Sequence, residues 1–154
     1  MRLPNFDYSQ NGAYFITIRT HHAECLFGAV GVMTQAKRMM IDTFFEVIHS
    51  YPRVYCPKMV VMPNHVHAVI VIQRADVESA PTIADIVQSF KRYSTIRYCT
   101  LVNNGCALTF QRKLWQRSYY DRVIRSEQEY IAALKYIDEN PLKWKLSLRQ
   151  KIDL

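Results

Sequence analysis

Between Val60 and Ile72 the chain is almost wholly apolar, broken only by Pro63-Asn64 and by two histidines, His65 and His67. The β-branched residues on either side of the break predict two strands, Pro57 to Met62 and His65 to Ile72. Met62-Pro63-Asn64 supplies turn chemistry between them. A connection so short forces the two strands to be antiparallel. The second strand is apolar on both faces past the histidines, so it belongs at the centre of a sheet covered on both sides. Strand side chains two residues apart share a face, which sets His65 and His67 side by side at the head of that strand.

A pair of imidazoles opening the most apolar strand has two readings. It can be a hydrogen-bonded structural pair, or it can hold a metal. Neutral imidazole is a good ligand, and two on one strand occupy adjacent corners of a coordination sphere. The position of this pair favours the metal. Two ligands do not complete a site, so a third must come from elsewhere in the chain.

The remaining elements follow from periodicity. Gly12 to Thr20 alternates, with Tyr14, Ile16 and Ile18 on one face and Phe15, Thr17 and Arg19 on the other. Thr34 to Ser50 has helical spacing through Met40, Phe44, Val47 and Ile48, with Thr34 as N-cap and Lys37 and Arg38 off the apolar face. Tyr51-Pro52 ends that helix. Arg74 to Pro81 is a polar linker. A second helix runs from Thr82 to about Cys99, with Ile83, Ile86, Val87, Phe90 and Ser94 inward and a Thr82/Asp85 capping box. Thr100 to Lys113 is loop or partly strand. Leu114 to Ile124 reads as a fourth strand with its approach. A last helix runs from Ser126 to Asn140, opened by a Ser126/Glu129 capping box and stopped by Pro141. The first ten residues form an arm, and a basic tail covers about 142–154. The order β, α, β-β, α, β, α predicts one α+β domain over 1–154, a ferredoxin-like α/β sandwich. It has a four-stranded antiparallel sheet and an extra C-terminal helix.

Composition narrows the partners. There are 20 Lys and Arg against 13 Asp and Glu, a formal charge of +7, which favours a polyanion. The 4 cysteines form no CxxC pair, so a zinc ribbon or thioredoxin-like site is not indicated. No run approaches the roughly 18 apolar residues of a membrane span, and Met1 to Asp7 lacks the apolar core of a signal peptide. A cytoplasmic protein with reduced cysteines and no membrane partner is expected.

On the last helix Tyr136 and Asn140 lie one turn apart on one face, at the border of the stripe Tyr130, Ala133, Leu134 and Ile137. From pattern alone Tyr136 reads first as a packed aromatic and Asn140 as a C-cap beside Pro141. Three segments in order change that reading. They are Met62-Pro63-Asn64-His65-Val66-His67, Leu114-Trp115-Gln116-Arg117-Ser118-Tyr119-Tyr120-Asp121-Arg122-Val123-Ile124-Arg125, and Tyr136-Ile137-Asp138-Glu139-Asn140-Pro141. Together they resemble the REP-associated tyrosine transposases of the HUH single-tyrosine transposase superfamily. Tyr8-Ser9 and Gly12-Ala13-Tyr14-Phe15 with Thr17 look like that family's opening segment. The likeness runs from about Leu3 to Trp144.

The resemblance implies roles. His65 and His67 would be the two histidines of the HUH motif, binding a divalent cation, Mg2+ or Mn2+. Asn140 would complete the metal site, and Tyr136 would be the nucleophile. The implied activity is that of a metal-dependent single-stranded DNA endonuclease and strand transferase, a transposase-like enzyme. It would act on hairpin or palindromic repeat DNA through a 5′-phosphotyrosine. Lys91, Arg92 and Arg97 on the second helix, with Arg117, Arg122 and Arg125 around the fourth strand, become candidates for phosphate contacts. Tyr119 and Tyr120 could stack unpaired bases, whereas Trp115 reads as core. A non-catalytic nucleic-acid-binding protein on the same fold and a metal hydrolase using water are the rival readings. Monomer and homodimer are both open.

Overall fold

The computed structural model describes residues 12–74 and 80–152. The N-terminal arm with Tyr8-Ser9, residues 75–79 of the linker and the last two residues of the tail lie outside the described residues. The elements are β1 (Gly12–Arg19), α1 (Gln35–His49), β2 (Val54–Met62), β3 (His65–Ile72), α2 (Ile83–Asn103), β4 (Tyr120–Ile124) and α3 (Glu127–Ile152), with one 3-10 turn at His21–Ala23. The strands form one antiparallel sheet in the order β2-β3-β1-β4. This is the expected ferredoxin-like arrangement with a further C-terminal helix. No helix among the described residues is long and apolar enough to cross a membrane.

The central pair is β1 with β3, in a register that sets Thr17 opposite His67 and Arg19 opposite His65. Alternation then sorts the sheet into two faces. Ile16, Ile18, Val66, Ala68, Ile70 and Ile72 pack against α1 and α2, where Met40, Phe44, Val87 and Phe90 are fully buried. Ala13, Phe15, Val69, Val71 and Ile124 face the other way, against Tyr130, Ala133, Leu134 and Ile137 of α3. A central strand covered on both sides needs its continuous apolar run, and β3 has one.

Thr34 Oγ1 accepts from the Lys37 backbone N–H at 3.1 Å, and Thr82 with Asp85 makes a reciprocal capping box. The Ser126/Glu129 box forms by half: Ser126 Oγ accepts from the Glu129 N–H at 3.1 Å, while the Glu129 carboxylate accepts from the Arg125 N–H at 2.6 Å. Trp115 is core: its Nε1 donates to buried Ser94 at 2.9 Å, and its ring packs near Phe27 and Phe90.

Several boundaries differ from expectation, each for a physical reason. Lys37 is not off the apolar face; it is buried, and its ammonium donates to the carbonyls of Ala29 at 2.8 Å and Val32 at 2.6 Å. Those bonds tie the loop before α1 to the helix and satisfy the charge. Lys91 Nζ is bonded to three consecutive carbonyls, Gln116, Arg117 and Ser118, at 2.7, 3.3 and 3.2 Å. Carbonyls converging on one ammonium cannot alternate as strand carbonyls do, so β4 starts only at Tyr120 and Trp115 makes a single bridge to Thr20. Pro141 does not end the last helix, which continues to Ile152. The Lys143–Glu139 ion pair at 3.6 Å spans the proline, and Trp144 packs 6.1 Å from the His65 ring, so the second half is held from both sides. Asn140 is accordingly an interior helix residue and not a C-cap.

One glycine in the loop before α1 is required. Gly28 has φ +97°, and an added Cβ would lie 2.4 Å from Thr34 Cγ2. Thr34 cannot turn aside cheaply, because its hydroxyl donates to Phe27 O at 2.6 Å while capping α1. Gly28→Ala should therefore cost about 1–3 kcal/mol in chemical denaturation, with the far-ultraviolet spectrum of the native state unchanged.

Candidate active site

The face of β3 that carries the histidines is built by four neighbours. β1 places Phe15, Thr17 and Arg19 beside it, and β2 places Val60 opposite His67 and Met62 opposite His65. β4 adds Tyr120 and Arg122 through their pairing with Thr17 and Phe15. Docking of α3 over Phe15 and Val69 brings Tyr136 and Asn140 down on the same patch. The two imidazole rings are 4.5 Å apart at 73°. The Tyr136 ring lies 5.4 Å from His67 and 5.5 Å from Phe15, edge-on to both. Phe15 stacks on His67 at 5.3 Å. Tyr136 is 42% exposed, whereas Asn140, one turn on, is buried. Beside them opens a cavity of about 430 Å³ whose walls include Arg19, His67, Gln116, Tyr120 and Tyr136.

Hydrogen bonds orient both imidazoles. His65 Nδ1 lies 2.6 Å from Asn64 Oδ1, while Asn64 Nδ2 donates to Ala23 O at 3.3 Å. With the amide held that way, the oxygen facing His65 can only accept, so Nδ1 carries the proton and Nε2 keeps its lone pair. His67 Nδ1 shares a hydrogen bond with Thr17 Oγ1 at 2.9 Å. Asn140 donates through Nδ2 to the Tyr136 carbonyl at 3.3 Å.

Burial, then the charge of Arg19, pulls the His65 pKa from 6.5 down to about 4, partly offset by the polar side chain of Asn140. Burial, then His65 and Arg19, pulls His67 down to about 3, against a bond to the Ile16 backbone. Both rings are therefore neutral near neutral pH. Two neutral imidazoles, one with its Nε2 lone pair preserved, and the buried carboxamide of Asn140 one turn from Tyr136 make a donor set whose chemistry fits a divalent cation. Among the described residues no group of three or more His, Cys, Asp and Glu side chains is gathered that could hold a metal ion.

The predicted basic residues divide. Arg122 lies on the site face, its guanidinium 5.7 Å from the centre of the Phe15 ring. Arg117 is exposed on the segment that walls the cavity, and Arg125 is exposed where β4 ends. Lys91, Arg92 and Arg97 belong to α2, in the layer on the far side of the sheet. Lys91 is bonded to the 116–118 carbonyls. Arg97 is paired with Glu46 at 2.6 Å and donates to Thr43 at 2.9 Å. Arg92 is exposed beside Tyr93.

Sequence reasoning missed four contributors. Thr17 and Arg19 were on the right strand face, but only the β1–β3 register reveals what they stand opposite. Asn64 was read for its turn alone. Lys143, whose ammonium sits 5.3 Å from the Tyr136 ring centre, lay beyond the proline taken as the helix end.

The depressed histidine pKa values predict the sign of an acid effect. The folded chain binds fewer protons at these two sites than the unfolded chain does, so their contribution is intact above pH 6.5. It is lost as pH falls from there toward about 4 and then about 3. Denaturation midpoints should fall across that window, and a His65→Gln/His67→Gln double variant should show a flatter profile there.

Residues 29–140 match the family described as "Transposase IS200 like". An uncharacterised protein of Haemophilus influenzae is 28% identical, with 94% of this chain and 88% of that protein covered. A candidate REP-associated tyrosine transposase from the same organism is 23% identical over 89% of this chain and 74% of its own length. A solved REP-associated tyrosine transposase bound to a REP hairpin superposes with a TM-score of 0.64 at 20% identity, over 93% of this chain and 74% of that one. A candidate transposase from Deinococcus radiodurans superposes at 0.55 and 19% identity, over 92% and 97%. The two structures share the fold described above, and the family match spans most of the chain, including both site histidines, the tyrosine and the asparagine. The chain belongs to the IS200-like transposase family.

Proposed function

We propose that this protein is a metal-dependent single-stranded DNA endonuclease and strand transferase that uses Tyr136 as its nucleophile. The observation that carries the reading is the docking of α3, which sets Tyr136 5.4 Å from the His67 ring in the same chain, at the mouth of an open cavity. Family membership and the likeness to a transposase solved with a REP hairpin support hairpin-bearing or palindromic repeat DNA as the substrate. His65, His67 and Asn140 would hold the cation, Mg2+ or Mn2+.

A neutral tyrosine hydroxyl is a weak nucleophile toward an anionic diester. A bound divalent ion supplies Lewis-acid polarisation of the phosphate and offsets charge in the transition state. The chain's own residues do the rest by position. Phe15 and His67 hold the Tyr136 ring edge-on, and Lys143 lies over its face, which limits the directions from which its oxygen can approach. Tyr136 Oη forms a bond to phosphorus as the bond to the 3′ oxygen breaks. The tyrosine proton passes to solvent and the leaving oxygen becomes a 3′-OH. The 5′-phosphotyrosine keeps the diester energy, so attack by another 3′-OH joins strands without a nucleotide cofactor. Arg122, Arg117 and Arg125 would contact backbone phosphates, and Arg19 the phosphate at the site.

Incubation with labelled hairpin single strands and Mn2+ should give a covalent adduct on a denaturing gel. Tyr136→Phe should abolish it while binding survives. An adduct formed by the phenylalanine variant would sink the mechanism; cleavage without any adduct would favour a hydrolase, and binding without cleavage a simple binder.

The two kinds of lysine and arginine can also be separated. Arg122→Gln should reduce the steepness of the log affinity against log salt plot by about 0.7–0.9, as loss of one phosphate contact does. Lys91→Met should leave the slope unchanged, because its ammonium is already bonded to protein carbonyls; a shallower slope for that variant would restore it as a DNA contact.

A further inference from the structure

The donor set around the histidines contains no negative charge. It consists of two imidazoles, His65 and His67, and the carboxamide of Asn140, with no carboxylate among the described residues. The carboxylates on the same stretch of α3 are engaged elsewhere, Asp138 with Lys58 at 2.6 Å and Glu139 with Lys135 and Lys143 at 3.8 and 3.6 Å. The charges that do face the site are cationic. Arg19 stands directly opposite His65 in the β1–β3 ladder, lines the cavity with His67 and Tyr136, and has no carboxylate partner or side-chain hydrogen bond among the described residues. Arg122 and Lys143 flank the same patch over Phe15 and Tyr136.

A guanidinium with no carboxylate partner among the described residues, beside a donor set without a carboxylate, opposes a dication. The same guanidinium attracts a phosphate, whose oxygens could ligate the cation and neutralise Arg19 at once. We infer that Arg19 makes cation binding conditional on the DNA phosphate: the free protein holds Mg2+ or Mn2+ weakly, and the scissile phosphate supplies the missing negative ligand. Arg19 is thus a positioning residue that couples the two partners. By linkage the cation must tighten DNA binding by the factor through which DNA tightens the cation. The order of assembly follows, because a site with no phosphate has little metal, and no metal-loaded site stands open to unrelated chemistry. This inference rests on the metal-dependent reading above.

The test uses the full chain carrying Tyr136→Phe, so that no cleavage intervenes. Mn2+ affinity is read from the electron paramagnetic resonance signal of the free ion. It is measured alone and with a hairpin oligonucleotide with single-stranded flanks, selected for binding to this protein. The expected result is weak Mn2+ binding alone and binding about tenfold or more tighter with DNA. Adding Arg19→Gln should tighten Mn2+ for the DNA-free protein by about threefold to tenfold and shrink the coupling factor, as removal of one nearby positive charge predicts. Arg19→Lys, which keeps the charge, should retain weak binding and strong coupling, which a purely structural role of Arg19 would not predict. Equal Mn2+ affinity with and without DNA would overturn the inference and leave the proposed function standing. So would an Arg19→Gln variant with both quantities unchanged. No Mn2+ binding under any condition would overturn both.

Discussion

The antiparallel pairing of β1 with β3 is the constraint on which everything else at the site depends. It sets Thr17 against His67 and Arg19 against His65, and it sends Phe15 and Val69 to the same face. A slip of one residue would carry the whole set to the other side of the sheet. The histidines would then face α1 and α2, where Phe44, Phe90 and Met40 leave room only for apolar side chains. The continuous apolar run of β3 does not by itself choose between the two faces. The choice falls to the imidazoles, which cannot be buried among those residues without partners, and to the hydroxyl and amide that Thr17 and Asn64 offer on the side they do occupy.

Among the described residues the second face is closed by α3, and this gives that helix two tasks. Tyr130, Ala133, Leu134 and Ile137 fill the core over Ala13, Phe15, Val69 and Val71. The same helix surface, continued toward its C-terminus, presents Tyr136, Asn140 and Trp144 to the histidines. The core half of the helix therefore sets the distance between tyrosine and imidazole. A proline inside a helix costs about 3 kcal/mol or more, and here the turn beyond it is nonetheless anchored by the Glu139 ion pair and the Trp144–His65 contact. The result carries Lys143 to the Tyr136 ring, a placement that ending the helix at Asn140 would forbid.

Electrostatically the site joins uncharged donors to a cationic surround, the combination that the proposed function asks for. Neutral imidazoles keep their lone pairs available. The surrounding Arg19, Arg122 and Lys143 raise the potential that a phosphate meets, and the nearby carboxylates are spent on lysines. A phosphodiester with its counter-cation satisfies both halves of this arrangement. The positive charge of the chain as a whole is unequally available to a partner. Some lysines and arginines, such as Lys37, Lys91 and Arg97, satisfy backbone carbonyls or carboxylates within the fold.

The elements, their order, the N-cap residues of the three helices and the two-faced sheet were legible from residue type and spacing, because capping chemistry, alternation and helical periodicity are local. The pairing of His65 with His67 was legible for the same reason: two residues on one strand share a face whatever surrounds them. The family resemblance singled out Tyr136 and Asn140, which spacing alone left as a packed aromatic and a cap. What spacing could not reach were the contacts between distant segments. Lys91 reads as a phosphate contact until the 116–118 carbonyls are seen around its ammonium, and the same carbonyls explain why β4 is short. Pro141 reads as a stop until contacts on both sides of it are counted. Arg19 reads as a strand-end charge until the register places it opposite His65. The sequence by itself determined which side chains exist in neighbouring positions along each element. Only the tertiary structure decided which of them meet, because register and helix docking are properties of pairs of segments and are written in neither one alone.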